Sequence, residues 1–238
     1  MKLIKFLKKE GYKFRSRLSP SDVAQIRKAR DYFHLTSLIP LILYYLKTSE
    51  ERTKFPATIS FTIRKGIPRA AHHVLWLLGW YSMYDVFHRA GSRFSRLFAI
   101  QMWVTGVICT FICQLGQGKL SDAIHFVTAT MYMIDHVVLF SYLKTRRIFR
   151  SAFYVSFLAM AAAMREKKRI HREHDLFSGE YSLDDIDVNN GHSIAKEHEK
   201  LSRLEPVIRN KIWWMDVFIM TFENLLFTSF VSGMTSGL

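Results

Sequence analysis

The chain has 238 residues, of which 49% are hydrophobic and 14% aromatic, and its formal net charge is +14. This length leaves room for one domain and excludes a soluble catalytic module joined to a separate membrane anchor. The lysines and arginines sit beside apolar segments and not on a recognisable nucleic-acid module, so we expect membrane lipids and no nucleic acid as partners.

Residues 1–32 form a polar, basic N-terminal segment that lacks the form of a cleavable signal peptide. Lysines and arginines interrupt the apolar residues between Met1 and Arg17, so no continuous apolar core is present. Insertion into the membrane is therefore expected to depend on internal helices. The basic residues Arg27, Lys28 and Arg30, just before the first apolar stretch, favour a cytosolic N-terminus.

Six apolar segments are candidate membrane helices, because a membrane span needs about 20 mostly apolar residues. Four are bounded by charge and near this length: Ala70 to Phe87, Phe94 to Leu115, Leu120 to Leu143 and Ile212 to Met234. Phe33 to Leu46 and Ala152 to Met164 are shorter, and each could instead be a re-entrant or interfacial helix. The sequence thus predicts an all-α polytopic transmembrane helix bundle with about six membrane helices, formed by residues 1–238 as one domain.

A charged segment, Arg165 to Asn210, precedes the last apolar stretch. It runs from basic (REKKRIHRE) through acidic (EYSLDDIDVNN) to mixed charge, and glycines interrupt it. This composition predicts a loop of largely exposed or disordered chain. Basic clusters flank both sides of Ala152 to Met164, so charge bias does not decide whether that segment spans the membrane.

Several ionisable side chains fall inside the apolar segments, where each costs about 2.5 to 3.5 kcal/mol and normally has a partner, a cavity or a helix end. Asp122, His125 and His136 lie on nearly one helix face and form a polar stripe. His125 and His136 are about 16 Å apart along the helix, which is too far for one reaction centre. In the structural alternative, Asp122 caps the helix start and His125 packs against a neighbouring helix.

Glu223 should lie near mid-membrane, because it follows Trp213 by about three helical turns in an otherwise apolar stretch. It is expected to be buried and either protonated or paired. A functional role and a structural bond to His125, His136 or His73 are equally consistent with the sequence.

The remaining polar residues predict no metal or cofactor. His72 and His73 point about 100° apart on a helix, so at most one of them faces a common site. No two of the histidines have metal-ligand spacing on one helix, and Cys109 with Cys113 fits packing inside a membrane helix. The candidate functional polar residues are His125, Glu223, Asp122, His136 and His73.

Short motifs give a likeness to a known family. FPATIS, with Phe55, Pro56, Ile59 and Ser60, follows the first apolar stretch; a later helix opens with SDAIH, and the last helix contains an acidic residue. This order resembles the Frag/DRAM/Sfk family of six-helix membrane proteins, which includes a Golgi factor for lipid remodelling of GPI anchors. The resemblance matches the family's PxIS-like loop to the FPATIS residues, its helix-four histidine to His125 and its helix-six acid to Glu223.

The resemblance implies a multi-pass protein of the Golgi or endoplasmic reticulum that assists lipid remodelling or sorting of GPI-anchored proteins. Its partners would be membrane lipids and GPI-anchored proteins. The alternative is a non-enzymatic regulator or scaffold that binds anionic lipids through its basic segments and a protein through the Arg165 to Asn210 loop. The sequence has no nucleophile with an adjacent base, and it leaves open whether the protein is an enzyme.

Overall fold

The computed structural model describes residues 2–47, 66–112, 119–174 and 203–238. Within these residues all regular structure is helical. The helices are α1 (Lys2–Arg15), α2 (Pro20–Lys47), α3 (Gly66–Ala90), α4 (Arg93–Val107), α5 (Lys119–Leu143), α6 (Arg147–Glu173) and α7 (Pro206–Gly233). A π-helical segment, Ile108–Ile112, continues α4.

Four helical stretches of the described chain are long and apolar enough to cross a membrane. They are Arg93–Ile112, Ala123–Leu143, Arg147–Ile170 and Pro206–Gly233. The predicted all-α fold is confirmed, and these four stretches support a protein that is integral to a membrane.

These stretches differ from the predicted segments in two places. Ala152 to Met164, which is short in the sequence, lies inside the longer apolar stretch Arg147–Ile170. Ala70 to Phe87 lies inside α3, which is not among the four stretches. The reason is that His72, His73 and Asp85 fall inside the apolar stretch of α3 and lower its mean hydropathy.

Helix α2 extends well beyond the predicted stretch Phe33 to Leu46, because its start is fixed by a capping box. The backbone N–H of Ser19 donates to Oδ2 of Asp22 at 2.9 Å, and the N–H of Asp22 donates to Oγ of Ser19 at 3.1 Å. Pro20 occupies the first helical position, where its missing N–H has no cost. The first apolar helix is therefore 28 residues long.

The predicted loop from Arg165 to Asn210 is wrong at both ends. Helix α6 continues to Glu173, and α7 begins at Pro206. Residues 175–202 lie outside the described part of the chain.

Contacts between α6 and α7 explain why these charged residues are helical. Two ion pairs join the helices: Lys167 with Asp216 at 2.7 Å, and Glu166 with Lys211 at 3.1 Å. Next to them, Ile170 and Ile212 are buried against each other in a small apolar core. The polar composition of the segment gives no sign of this core, because the α7 residues that complete it are more than forty positions away along the chain.

The main core contains aromatic residues from α1, α2, α3 and α5. Phe14 stacks on Phe87 with 4.5 Å between ring centroids, and Phe33 packs edge-on against Trp80 at 5.8 Å. Gly79 permits the close approach of α2 to α3, since a Cβ at this position would lie 2.8 Å from the Phe33 ring. Phe33 thus joins α2 to the middle of α3, and Phe14 joins α1 to the last turns of α3.

Helix α1 lies across one end of the bundle, which we call the α1 end. There Phe6 packs on Phe94, Ser92 donates to Glu10 at 2.6 Å, and Arg15 donates to the carbonyl oxygen of Ser141 at 3.0 Å. These partners belong to the turn between α3 and α4 and to the last turn of α5. The polar residues of the candidate site lie toward the opposite end.

Candidate functional site

Four basic side chains form a group that we call the histidine cluster. It contains Arg69, His72 and His73 from the first two turns of α3, together with His125 from the start of α5. The rings of His72 and His73 are 6.1 Å apart between centroids. His72 faces α2 and His73 faces α4, as the 100° angle between adjacent helical residues predicts.

Three members of the cluster bind successive backbone carbonyls of the π-helical segment. His125 Nδ1 contacts Cys109 O at 3.0 Å, His73 Nε2 contacts Thr110 O at 3.2 Å, and Arg69 Nη2 donates to Phe111 O at 3.4 Å. The cluster therefore ties α3 and α5 to the end of the described part of α4.

His72 is the most buried member, and its two ring nitrogens differ. Nδ1 contacts the carbonyl oxygen of Thr36 at 2.9 Å, whereas the buried Nε2 has no hydrogen-bond partner among the residues that the structure describes. A carbonyl oxygen only accepts hydrogen bonds, so Nδ1 carries the proton. In a neutral imidazole, Nε2 is then an acceptor that lacks a donor.

His72 lies near the start of α3. It is six residues after Gly66, the first residue of α3, which corresponds to about 9 Å along the helix axis. The histidine cluster thus lies near the end of the bundle at which α3 begins.

The other predicted site residues are not all in this cluster. His136 is buried farther along α5; its Nδ1 contacts the carbonyl oxygen of Tyr132, and its ring packs on Phe230 with 3.8 Å between centroids. His73 and His136 thus have backbone carbonyl partners. Glu223 is half-buried on α7, ten residues before the end of that helix.

Two predicted elements cannot be placed. The side chain of Asp122 and the loop motif Phe55, Pro56, Ile59 and Ser60 lie outside the described residues. Cys113 does so too, whereas Cys109 contacts His125 with its sulfur 3.9 Å from Nδ1.

Sequence reasoning missed two polar residues whose contacts join helices. Asp135 is buried and accepts from Gln101 at 2.8 Å and from Thr105 at 3.2 Å. Arg69 donates to the carbonyl oxygen of Phe111. The signal for Asp135 was the spacing of Gln101 and Thr105, which are four residues apart and share one face of α4.

Metal binding has no geometric support in the residues that the structure describes. Among them, no group of three or more His, Cys, Asp or Glu side chains is placed to hold a metal ion. The chemistry available at the histidine cluster is hydrogen bonding and proton acceptance by imidazole.

The chain matches no protein-family model, no curated protein and no solved structure. The resemblance to the Frag/DRAM/Sfk family therefore depends on the sequence motifs alone.

The basic cluster around Arg165, on which the regulator hypothesis depends, is partly neutralised. Lys167 pairs with Asp216, and Arg169 pairs with two glutamates of its own helix at 2.6 and 2.9 Å. Arg165 and two further basic residues, Lys168 and Arg172, are exposed. Part of the positive charge of this cluster is therefore balanced by acidic residues of the protein itself.

Proposed function

We propose that this protein handles lipids in the membranes of the Golgi or endoplasmic reticulum and assists the lipid remodelling or sorting of GPI-anchored proteins. The observation that carries the proposal is the buried Nε2 of His72, an acceptor for which the described part of the chain supplies no donor. A buried polar atom without a partner costs free energy, and a ligand that supplies a donor recovers it.

The chemistry of the acceptor restricts the ligand. Nε2 needs an O–H or N–H group, which a hydrocarbon chain does not have. Lipid headgroups with hydroxyl or ammonium groups, including the inositol and sugars of a GPI anchor, carry such donors. If α3 spans the membrane, as proposed, His72 is about 9 Å from the start of the helix and so lies at the depth of the headgroup layer and not at the bilayer centre.

One sequence motif coincides with the histidine cluster. His125, which resembles the family's helix-four histidine, is a member of the cluster. The residues that resemble the family loop, Phe55 to Ser60, precede α3 along the chain and lie outside the described residues. The resemblance therefore adds His125 to the proposed site.

Six membrane spans are part of the proposal. Helices α2 and α3 have 28 and 25 residues, so both exceed the roughly 20 residues that a span requires. With six spans both termini share one side, and a cytosolic N-terminus places the histidine cluster on the lumenal side. GPI-anchored proteins are exposed on that side.

The test uses cells that lack this protein and express a GPI-anchored reporter. Surface display of the reporter and its release by phospholipase are measured after restoration with wild type, His72→Asn or His88→Asn. An asparagine amide can replace the Nδ1 donor to Thr36 but offers nothing at the position of Nε2. We expect wild type and His88→Asn to rescue the reporter and His72→Asn to fail at equal protein level.

The control variant is matched because His88 is an exposed histidine at the other end of the same helix. Glu223→Gln is tested beside it, since the resemblance makes Glu223 a functional residue; we expect impaired display without loss of the protein. A reporter that is unchanged in the deletion cells would contradict the GPI assignment and favour the lipid-binding regulator. Full rescue by His72→Asn would show that Nε2 of His72 does not bind the lipid.

A further inference from the structure

Helix α1 has two faces of opposite character. Its buried face includes Gly11 and Phe14, which pack on the bundle, and a Cβ at Gly11 would lie 2.6 Å from the carbonyl oxygen of Ser141. The opposite face carries the exposed basic residues Lys2, Lys5, Lys8 and Lys9. The side chains of an amphipathic helix segregate in this way when it lies along an interface.

The first turn of α1 extends past the protein surface that covers the rest of the helix. Leu3 and Ile4 point in nearly the same direction as Gly11 and Phe14 but are 67% and 58% exposed, whereas Phe14 is 1% exposed. Exposed leucine and isoleucine at the membrane end of a bundle are accommodated by lipid chains. The lysines on the opposite side of the same turns then lie at the level of the headgroups.

Helix α4 enlarges this basic surface. Its first turn contributes the exposed Arg93 and Arg96, and no acidic residue occurs there. Phe94, between them, packs edge-on against Phe6 of α1 with 5.0 Å between ring centroids. The contact places the two arginines beside the lysines of α1.

The acidic residue of α1 does not cancel this charge. Glu10 is buried toward the protein, where it accepts a hydrogen bond from Ser92 at 2.6 Å and pairs with Lys13 at 3.2 Å. Lys2, Lys5 and Lys9 make no ion pair within the described residues. Their charges face away from the bundle.

We infer that α1 and the first turn of α4 form a binding surface for anionic lipid headgroups on the leaflet at the α1 end. Each basic side chain near a negatively charged leaflet adds to the attraction. The apolar first turn supplies the hydrophobic part of the contact. This surface is at the opposite end from the histidine cluster, so the inference does not depend on the proposed function.

The test uses the full-length protein in nanodiscs of phosphatidylcholine alone or with added phosphatidylserine. Hydrogen–deuterium exchange of the amides of residues 2–15 is compared for wild type, K2Q/K5Q/K9Q and the charge-preserving K2R/K5R/K9R. We expect severalfold slower exchange of α1 in the anionic discs for wild type and the arginine variant. The glutamine variant should lose this difference, and high salt should reduce it for wild type.

Exchange in residues 123–143 of α5, measured in the same samples, reports whether the bundle is intact. Equal exchange of α1 in both disc types, with α5 protected, would overturn the inference. Equal protection of the glutamine and wild-type proteins in anionic discs would do so as well, since it would show that the lysines are not used.

Discussion

His72 on α3 supplies a hydrogen-bond donor that Pro40 on α2 cannot. In an α-helix the N–H of residue 40 would donate to the carbonyl of Thr36, but proline has no N–H. The Nδ1 of His72 lies 2.9 Å from this carbonyl oxygen. A gap in the hydrogen bonding of one membrane helix is thus filled by its neighbour, which couples the two helices.

This coupling predicts that the cost of losing His72 depends on Pro40. His72→Leu leaves the Thr36 carbonyl without its donor, so we expect a loss of about 1 to 3 kcal/mol in the free energy of unfolding. With Pro40→Ala the backbone N–H returns, and the same substitution should cost less. Unfolding of the four proteins in detergent gives the coupling energy directly. Equal costs in both backgrounds would contradict the role assigned to His72.

Gly106 on α4 permits a close approach of Trp76. A Cβ at Gly106 would lie 3.0 Å from Cη2 of Trp76 and nearer still to Cζ2. Gly106→Ala should therefore destabilise the bundle by about 1 to 3 kcal/mol, the usual cost of overpacking. Phenylalanine lacks both ring atoms, so Gly106→Ala should cost less in a Trp76→Phe background. The midpoint of thermal unfolding of each variant checks this, and an additive double variant would argue against the contact.

Asp135 accepts a hydrogen bond from the side-chain amide of Gln101 inside the bundle. Asp135→Leu leaves this half-buried amide without the Asp135 acceptor, so we expect a loss of about 1 to 3 kcal/mol in the free energy of unfolding. Asp135→Asn keeps an acceptor oxygen and should cost less. Replacing both partners with leucine should recover much of the loss, because no buried polar group then lacks a partner. If the double variant were less stable than Asp135→Leu, the contact would not be the reason for the burial of Asp135.

The sequence predicts the parts of this fold that depend on local pattern. Apolar runs bounded by charge locate the cores of the long helices, and adjacent positions such as His72 and His73 reveal that they face different neighbours. The start of α2 also has a local signal, since Ser19, Pro20 and Asp22 form a capping pattern ahead of the apolar run that begins at Phe33.

What the sequence could not predict depends on contacts between distant segments. Helix α6 continues through Arg169 because α7 supplies Asp216, Lys211 and Ile212, and no local pattern announces those partners. The same holds for Nε2 of His72. This atom is buried, without a partner among the described residues, because α2 and α3 pack together. Local periodicity does not contain this information.

The docking of α1 should depend on pH through Glu10. The pKa of this carboxyl is held below its usual 4.5, mainly by the hydrogen bond from Ser92, which outweighs the effect of burial; Lys13 adds to the lowering. A carboxyl whose pKa is lower in the folded state contributes stability that is complete above the usual pKa. That contribution is lost as the pH falls below 4.5 and through the folded-state pKa. We therefore expect α1 to undock at acidic pH while the membrane helices stay folded.

Hydrogen exchange of residues 2–15 between neutral pH and pH 3 measures this, after correction for the intrinsic pH dependence of exchange. Ser92→Ala removes the main stabiliser of the charged carboxylate, so it should raise the pKa of Glu10 and move undocking to higher pH. Glu10→Gln should abolish the transition. Asp22 is a second carboxyl at the α1 end with a lowered pKa, and the variant Asp22→Asn is the control for its contribution. A transition that survives Glu10→Gln but disappears in Asp22→Asn would assign the pH dependence to the start of α2 instead.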